Sequence, residues 1–451
     1  MKNNKNIDFK AAPEAKKTLK KREVKTSIKE PKAKNSENPT FADLGIPESI
    51  LNVLAKLGLE TPTPIQVKAI PPALNGEDLI GVAQTGTGKT FAFGIPAINR
   101  IGKTKKQALV IAPTRELAAQ VEESLKEIGS QIGLKTTLII GGDNFDRQLF
   151  SLRRKPHIII GTPGRLLDHL RRRTLKLNEF NTLILDEADM MLDMGFMPQI
   201  KEIIKQVPKD RQTMLFSATM PPAIVSLAQE FMKIPISIEV APQGTAASQV
   251  DQEIFIIKNE DRLDYLLKAL AEYKGSVLVF VRTRYGVMGL TEKLQSLKYK
   301  AVEIHSNLSL SRRKNALLDF KSGRARILVA TDVAARGLDI KGIELVVNYH
   351  LPENREDYVH RIGRTGRADL FGKAITFAAP NQGREIANIE RLINQEIKKT
   401  DFSKSAQGEE VRKVEYRTHK VFSSKRRFGS SRPSSRGGAQ GGRGGARSRN
   451  R

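Results

Sequence analysis

The sequence predicts an α/β chain built as two tandem domains, each a parallel β-sheet flanked by helices, with disordered basic ends. Three observations carry this reading. From about Phe41, short near-continuous apolar runs alternate with amphipathic stretches, the pattern of strands buried on both faces. The rhythm breaks once, at the small-residue segment Ala241-Pro242-Gln243-Gly244-Thr245, and then restarts. Both ends are rich in charge and poor in large apolar residues, a composition that cannot build a core. The predicted organisation is a Lys-rich extension over 1–40, a first domain over 41–241, a linker over 242–250, a second domain over 251–395 and an Arg/Gly/Ser-rich tail over 396–451.

In the first domain, strands are expected at Asp78-Leu79-Ile80-Gly81-Val82, Ala108-Leu109-Val110-Ile111-Ala112, Leu138-Ile139-Ile140, His157-Ile158-Ile159-Ile160, Thr182-Leu183-Ile184-Leu185 and Met214-Leu215-Phe216. In the second they are expected at Val277-Leu278-Val279-Phe280-Val281, Ala301-Val302-Glu303-Ile304, Ile327-Leu328-Val329-Ala330, Leu345-Val346-Val347 and Ala374-Ile375-Thr376-Phe377. The amphipathic stretches between them supply the crossover helices that parallel strands require.

A chain of 451 residues with 39% hydrophobic content can bury real cores. The net charge of +27 predicts a polyanionic partner, above all nucleic acid. Residues 1–40 hold 12 basic and 5 acidic side chains, and residues 411–451 hold 13 and 1, so about two-thirds of the excess sits on the ends. With no cysteine, disulfides, thiolate nucleophiles and cysteine zinc sites are excluded. No apolar run approaches the ~18 residues of a membrane span. The N-terminus has neither an apolar signal core nor an Arg-rich, acid-poor character, so a cytoplasmic protein with no membrane partner is expected.

Two stretches carry chemistry. Ala83-Gln84-Thr85-Gly86-Thr87-Gly88-Lys89-Thr90 follows a strand and opens a helix. Gly86 and Gly88 let backbone N–H groups turn toward phosphate oxygens; Lys89 would pair with β- and γ-phosphates and Thr90 would place its hydroxyl on Mg²⁺. Asp186-Glu187-Ala188-Asp189 ends a buried strand, where acids are costly unless they face a metal or water. Asp186 is placed to hold Mg²⁺ through water, and Glu187 to orient the attacking water. An acidic strand end can equally cap a helix. The phosphate loop upstream tips the balance, since open α/β sheets bind ligands at strand carboxyl ends.

With these motifs the chain resembles the DEAD-box ATP-dependent RNA helicases from about Phe41 to about residue 380, with tail and sequence flavour similar to the bacterial RhlE-like group. The resemblance implies two RecA-like domains and ATP with Mg²⁺ as cofactors. Gly58-Leu59-Glu60-Thr61-Pro62-Thr63-Pro64-Ile65-Gln66 resembles the family's Q motif, with Phe41 as its upstream aromatic. This implies that Gln66 reads adenine by a bidentate amide contact and that Phe41 stacks nearby; Thr85 joins the phosphate loop. Ala83, where the strict loop pattern begins with Gly, is ordinary for the family.

Pro113-Thr114-Arg115-Glu116-Leu117 and Thr162-Pro163-Gly164-Arg165-Leu166 each follow a strand and begin a helix, so their N–H groups and arginines offer phosphate sites. They also read as ordinary helix caps. The family assigns them to RNA backbone together with Gly141-Gly142. Phe280-Val281-Arg282-Thr283 resembles motif IV, which implies an RNA contact at Thr283. Thr331-Asp332-Val333-Ala334-Ala335-Arg336-Gly337-Leu338-Asp339-Ile340 matches motif V, which puts Thr331 on RNA and Asp339 on the ATP ribose. His360-Arg361-Ile362-Gly363-Arg364-Thr365-Gly366-Arg367 matches motif VI, with Arg364 and Arg367 as arginine fingers. Such fingers are worth about 10³–10⁵ in rate in related phosphoryl transfer. Ser217-Ala218-Thr219, Asp189, His360 and Arg361 would couple hydrolysis to the RNA grip. One departure stands out. The family usually has Gln three residues before Arg313, and here that position is Leu310; Arg313 can still reach a phosphate.

The resemblance implies an RNA-stimulated ATPase whose domains close on single-stranded RNA, bend it and separate short duplexes without translocating. ATP and RNA should then bind cooperatively, with weak sequence preference because the grip is on the backbone. The basic ends would add salt-sensitive RNA affinity. A monomer is expected, with ribosome-assembly or RNA-decay proteins as the implied partners. Two other classes stay open: an ATP-gated RNA clamp that unwinds nothing, and a DNA translocase.

Overall fold

The computed structural model describes residues 39–84, 86–240, 250–335, 343–366 and 372–403. Thr85, Asp339, Arg367, nearly all of the expected extension and linker, and the tail from 404 lie outside the described residues.

The strands of the first half are β1 (Leu79–Val82), β2 (Gln107–Ile111), β3 (Thr136–Ile139), β4 (Ile158–Gly161), β5 (Phe180–Leu185), β6 (Gln212–Ser217) and β7 (Ile236–Glu239). Those of the second are β8 (Val250–Ile256), β9 (Val277–Phe280), β10 (Ala301–Ile304), β11 (Ile327–Ala330), β12 (Leu345–Asn348), β13 (Gly372–Ala378) and β14 (Lys398–Asp401). They form two 7-stranded sheets, in the orders β3-β4-β2-β5-β6-β1-β7 and β10-β11-β9-β12-β13-β8-β14. The order is the same in both: β10 stands where β3 does, β11 where β4 does, and so on to β14 in the place of β7. All strand pairs are parallel. Two tandem α/β domains of one topology are therefore present.

Alternation along each central strand explains the layering. On β2, Ala108 and Val110 enter one apolar cluster while Leu109 and Ile111 enter the other. On β9, Leu278 and Phe280 face one way and Val277 and Val279 the other. Successive side chains of a strand point to opposite faces, so a sheet covered on both sides needs apolar residues at every position. Helices such as Lys89–Thr104 and Arg115–Gly129 supply the cover.

Two boundaries shift relative to the sequence expectation. β8 begins at Val250, which was assigned to the linker, and β14 pairs with β8 beyond the expected domain end at 395. β14 is Lys-Lys-Thr-Asp on a sheet edge. Edge strands are commonly charged, which blunts pairing with other chains and hides them from an apolar-run search. Among the described residues, no helix is long and apolar enough to cross a membrane.

Candidate functional site

Parallel strands send all their carboxyl ends to one edge, so the first sheet collects its motifs there. β6 lies between β5 and β1. The Asp186–Asp189 stretch after β5 and the phosphate loop after β1 thus flank Ser217, which ends β6 and pairs with Val82.

Gly86 and Gly88 have φ of +79° and +91°, a region open to glycine at little cost. A Cβ on Gly88 would lie 2.6 Å from Gln66 Nε2 and 2.8 Å from Thr63 Oγ1. Lys89 is the first residue of the helix Lys89–Thr104 and is buried. Its ammonium donates to Ala83 O at 3.1 Å and to Glu187 Oε1 at 2.7 Å. Burial alone would lower its pKa; Glu187, Asp186 and Asp189 outweigh burial and raise it. Thr90 follows, half-buried.

Gln66 is buried, with Oε1 accepting from Thr63 N–H at 2.9 Å and Nε2 donating to Gly88 O at 3.0 Å. The amide orientation is thereby assigned, leaving one N–H and one lone pair for a ligand edge. Phe41 is 4% exposed and packs in the apolar core of the first domain, on the short helix Phe41–Leu44. Its ring is part of that core.

Glu187 has φ 52° and ψ 56°, a left-handed conformation that costs a non-glycine residue about 1–2 kcal/mol. Such strain is concentrated at functional sites. Burial pushes the Asp186 carboxyl up to about 7, against the pull of Lys89 and with the push of Glu187. Asp186 Oδ1 is buried and has no hydrogen-bond partner among the described residues. Asp189 is saturated instead: Oδ1 accepts from Met190 N–H at 2.9 Å, and Oδ2 from Ala218 N–H at 3.1 Å, Thr219 N–H at 2.8 Å and Thr219 Oγ1 at 2.9 Å. Ser217 Oγ accepts from Asp189 N–H at 3.1 Å. From the second domain, His360 Nε2 stands 4.0 Å from Asp189 Oδ2. Burial would raise the Asp189 pKa; His360, Lys89 and these hydrogen bonds outweigh it and hold it below the usual range.

A second contact between the domains lies at the backbone-binding motifs. Thr114 caps the helix Arg115–Gly129, accepting from Leu117 N–H at 3.2 Å. Arg313, on the helix Leu310–Lys321, pairs with Glu116 at 2.9 Å. Arg115 packs against Gly142, where a Cβ would lie 2.1 Å from Nη1. Thr162 and Pro163 are buried, Gly164 is exposed and Arg165 is half-buried at the start of the helix Pro163–Arg171. In the second domain Thr283 is exposed and caps its helix, accepting from Gly286 N–H at 3.1 Å. Thr331 is half-buried after β11.

Arg361 is committed inside the second domain. It donates to both Asp332 oxygens, one at 2.7 Å, to Asn348 Oδ1 at 3.2 Å and to His350 O at 2.7 Å. Arg364 is buried and lines a cleft with Phe280, Asp332, Asp357, His360 and Arg361. Sequence reasoning missed Glu116, Asp332 and Thr63 as partners. Thr63 was readable, since Thr-x-x-Gln at a helix start is a capping signature; the other two pair across long sequence separations.

The residues fit Mg²⁺. Among the described residues no group of three or more His, Cys, Asp or Glu could hold a metal alone. Mg²⁺ is normally held by one or two carboxylates with phosphates and water, and the unpartnered Asp186 Oδ1 near Lys89 supplies such a carboxylate.

The comparisons agree with this geometry. Residues 63–227 match the DEAD/DEAH box helicase family and residues 259–369 the helicase conserved C-terminal domain. The DEAD-box ATP-dependent RNA helicase CshA of Bacillus cereus is 44% identical over 365 residues, covering 80% of this chain and 70% of the relative. The ATP-dependent RNA helicase CshA of Listeria monocytogenes is 46% identical over 362 residues, 80% and 69% covered. Among solved structures, S. cerevisiae Dbp5 bound to RNA and ADP BeF3 superposes with a TM-score of 0.73 at 31% identity, covering 80% of this chain and 95% of that one. Mss116p bound to ssRNA and AMP-PNP gives 0.75 at 28%, covering 83% and 81%. With two matching domains, these relatives and a phosphate loop joined to its acidic strand end, the chain belongs to the DEAD-box ATP-dependent RNA helicases, hydrolases acting on ATP.

Proposed function

We propose that this helicase grips single-stranded RNA between its two domains, hydrolyses ATP when they join, and separates short duplexes locally without translocating. The observation that carries the reading is the pair of contacts between the domains, His360 against Asp189 and Arg313 against Glu116. One touches the stretch that handles ATP and the other the helix that offers phosphate sites. A ligand favouring the joined arrangement at either place favours the other ligand too, as linkage requires.

Within the ATP site, Gln66 serves the adenine end, and Thr85, Gly86, Thr87 and Gly88 cradle phosphates. Thr90 and Asp186 are the residues that would hold Mg²⁺, which would offset negative charge on the bound phosphates and favour the ionised Asp186 carboxylate. Lys89 and Glu187 hold each other at 2.7 Å. A phosphate that takes the ammonium frees Glu187 to orient water, so the base is released only with nucleotide in place. Arg364 and Arg367 complete the site as fingers and Asp339 meets the ribose. Thr114, Arg115, Gly142, Thr162, Arg165, Thr283 and Thr331 contact RNA backbone, with Pro113, Pro163 and Gly164 shaping the helix starts. The protein acts as a monomer in the cytoplasm.

Strand displacement of a short RNA duplex tests this. ATP should release the strand, with a rate falling steeply as the duplex lengthens. RNA-stimulated hydrolysis without any displacement would instead make the protein an ATP-gated clamp.

A further inference from the structure

A buried polar unit ties the turn at Gly141-Gly142 to the helix Pro163–Arg171, and no step above uses it. Gln148, on the helix Phe145–Arg153, is 2% exposed, and His169 is 0% exposed. Gln148 Nε2 donates to Ile140 O at 2.8 Å, the carbonyl just before the turn. That bond sets the amide, so Oε1 is the acceptor on its other side. Oε1 accepts from Arg165 Nη1 at 3.4 Å and lies 3.2 Å from His169 Nε2. Burial, with Arg165 and Arg172 close by and against the pull of Asp168, pushes the His169 pKa down to about 4. The ring is therefore neutral at neutral pH and carries a single N–H. Facing an oxygen that can only accept, that N–H sits on Nε2. Nδ1 lies 2.9 Å from Thr174 Oγ1, whose hydroxyl donates to His169 O at 3.0 Å.

Phe145 completes the unit. Its ring stacks on His169 at 4.2 Å with an interplanar angle of 5°. The Arg172 guanidinium lies 4.6 Å and that of Arg165 5.7 Å from the Phe145 ring centroid. One amide thus reaches the turn through Ile140 and the arginine through Oε1, with the imidazole as its third partner. Packing alone would be served as well by leucine and phenylalanine; a hydrogen-bonded polar network instead specifies one geometry.

We infer that Gln148, His169 and Phe145 are positioning residues that fix the spacing between the Gly141-Gly142 turn and Arg165, so that the two meet phosphates of one RNA strand without further rearrangement. An arginine held in its binding rotamer loses less entropy when the strand arrives. The inference rests on the proposed RNA contacts at Gly142 and Arg165.

The test compares Gln148→Leu, Phe145→Leu, His169→Gln and Arg165→Ala in the full chain. The readouts are the RNA concentration for half-maximal ATPase stimulation, kcat at saturating RNA, ATP KM without RNA, and the melting temperature. Gln148→Leu and Phe145→Leu should each raise the RNA half-saturation about tenfold, the effect of losing one well-held contact. Their kcat and ATP KM should hold near wild type, and His169→Gln, which keeps an N–H donor, should recover most of the RNA affinity. Phe145 is half-buried, so its variant carries the test if Gln148→Leu is unfolded at the assay temperature. An unchanged RNA half-saturation in the folded variants, with Arg165→Ala raising it, overturns the inference. Parallel losses in kcat, ATP KM and RNA affinity overturn it as well, since they mark general destabilisation. If Arg165→Ala itself has no effect, the RNA-contact reading fails first and takes the inference with it.

Discussion

Replacing Arg313 with methionine should uncouple ATP from RNA while sparing ATP binding alone. The Arg313–Glu116 pair spans the two domains at 2.9 Å, with side chains 11% and 8% exposed. Burial lowers the Arg313 pKa, Glu116 offsets this and Arg115 adds to it, yet a guanidinium stays charged. Arg313 Nε and Glu116 Oε1 lack hydrogen-bond partners among the described residues, so Glu116 has little to lean on once Arg313 is gone. Breaking one side of a buried pair costs about 3–5 kcal/mol because the other charge is stranded. Only the joined arrangement bears this, since Glu116 is hydrated when the domains part. Even about 3 kcal/mol shifts the equilibrium by about 150-fold. The assay is RNA affinity with and without a hydrolysis-resistant ATP analogue. Arg313→Met should remove most of the enhancement by nucleotide and leave RNA-free ATP affinity unchanged. Adding Glu116→Gln should restore part of it by removing the stranded charge. Full coupling in Arg313→Met would refute the reasoning. Equal weakening with and without nucleotide would mean that Arg313 spends its charge on an RNA phosphate instead.

Glu187→Gln should abolish ATP turnover while retaining nucleotide binding, and intact turnover would remove Glu187 as the water-orienting residue. Deleting residues 411–451, which hold 13 basic and 1 acidic side chains, should weaken RNA binding and flatten its salt dependence with maximal ATP turnover kept; an unchanged salt slope excludes the tail as a tether. Burial and the Arg165 and Arg172 charges hold His169 near 4. The unfolded chain therefore binds the extra proton between about pH 4 and 6.5, so this contribution is complete above that window and lost as pH falls through it. Melting at pH 7 and 5 should show a smaller drop for His169→Gln than for wild type, and equal drops would contradict the assignment.

The central strands were legible because burial on both faces favours apolar residues: β2, β4, β9 and β11 read as near-continuous runs, and β5 as the run Leu183-Ile184-Leu185 after Asn181 and Thr182. The edges were legible in part: β3 and β10 were read from their apolar runs, whereas β7, Ile-Ser-Ile-Glu, and β14, Lys-Lys-Thr-Asp, were not, since solvent at a sheet rim permits charge and weakens the apolar signal. The interior strand β8, Val-Asp-Gln-Glu-Ile-Phe-Ile, was missed as well, because polar residues interrupt its run. The motif residues were legible wherever a loop chemistry dictates them, as with Gly86, Gly88 and Lys89. What each side chain does within the fold was less so. Arg361 is expected to couple hydrolysis to the RNA grip, and its sequence context does not show that the fold spends it on Asp332, Asn348 and His350. Arg313 reads as a phosphate ligand, yet it meets Glu116 from the other domain. Such pairings depend on the topology that brings distant strand ends together, and local spacing carries no trace of them.

The central claim is that one closure event completes both the ATP site and the RNA grip. Steady-state ATP hydrolysis with and without single-stranded RNA, repeated with DNA and with GTP, tests it most directly. Stimulation specific to RNA and to ATP is the predicted result, joining the Gln66 contact to the interdomain contacts in one measurement. Hydrolysis that proceeds equally without RNA, or that DNA stimulates equally, would contradict the account.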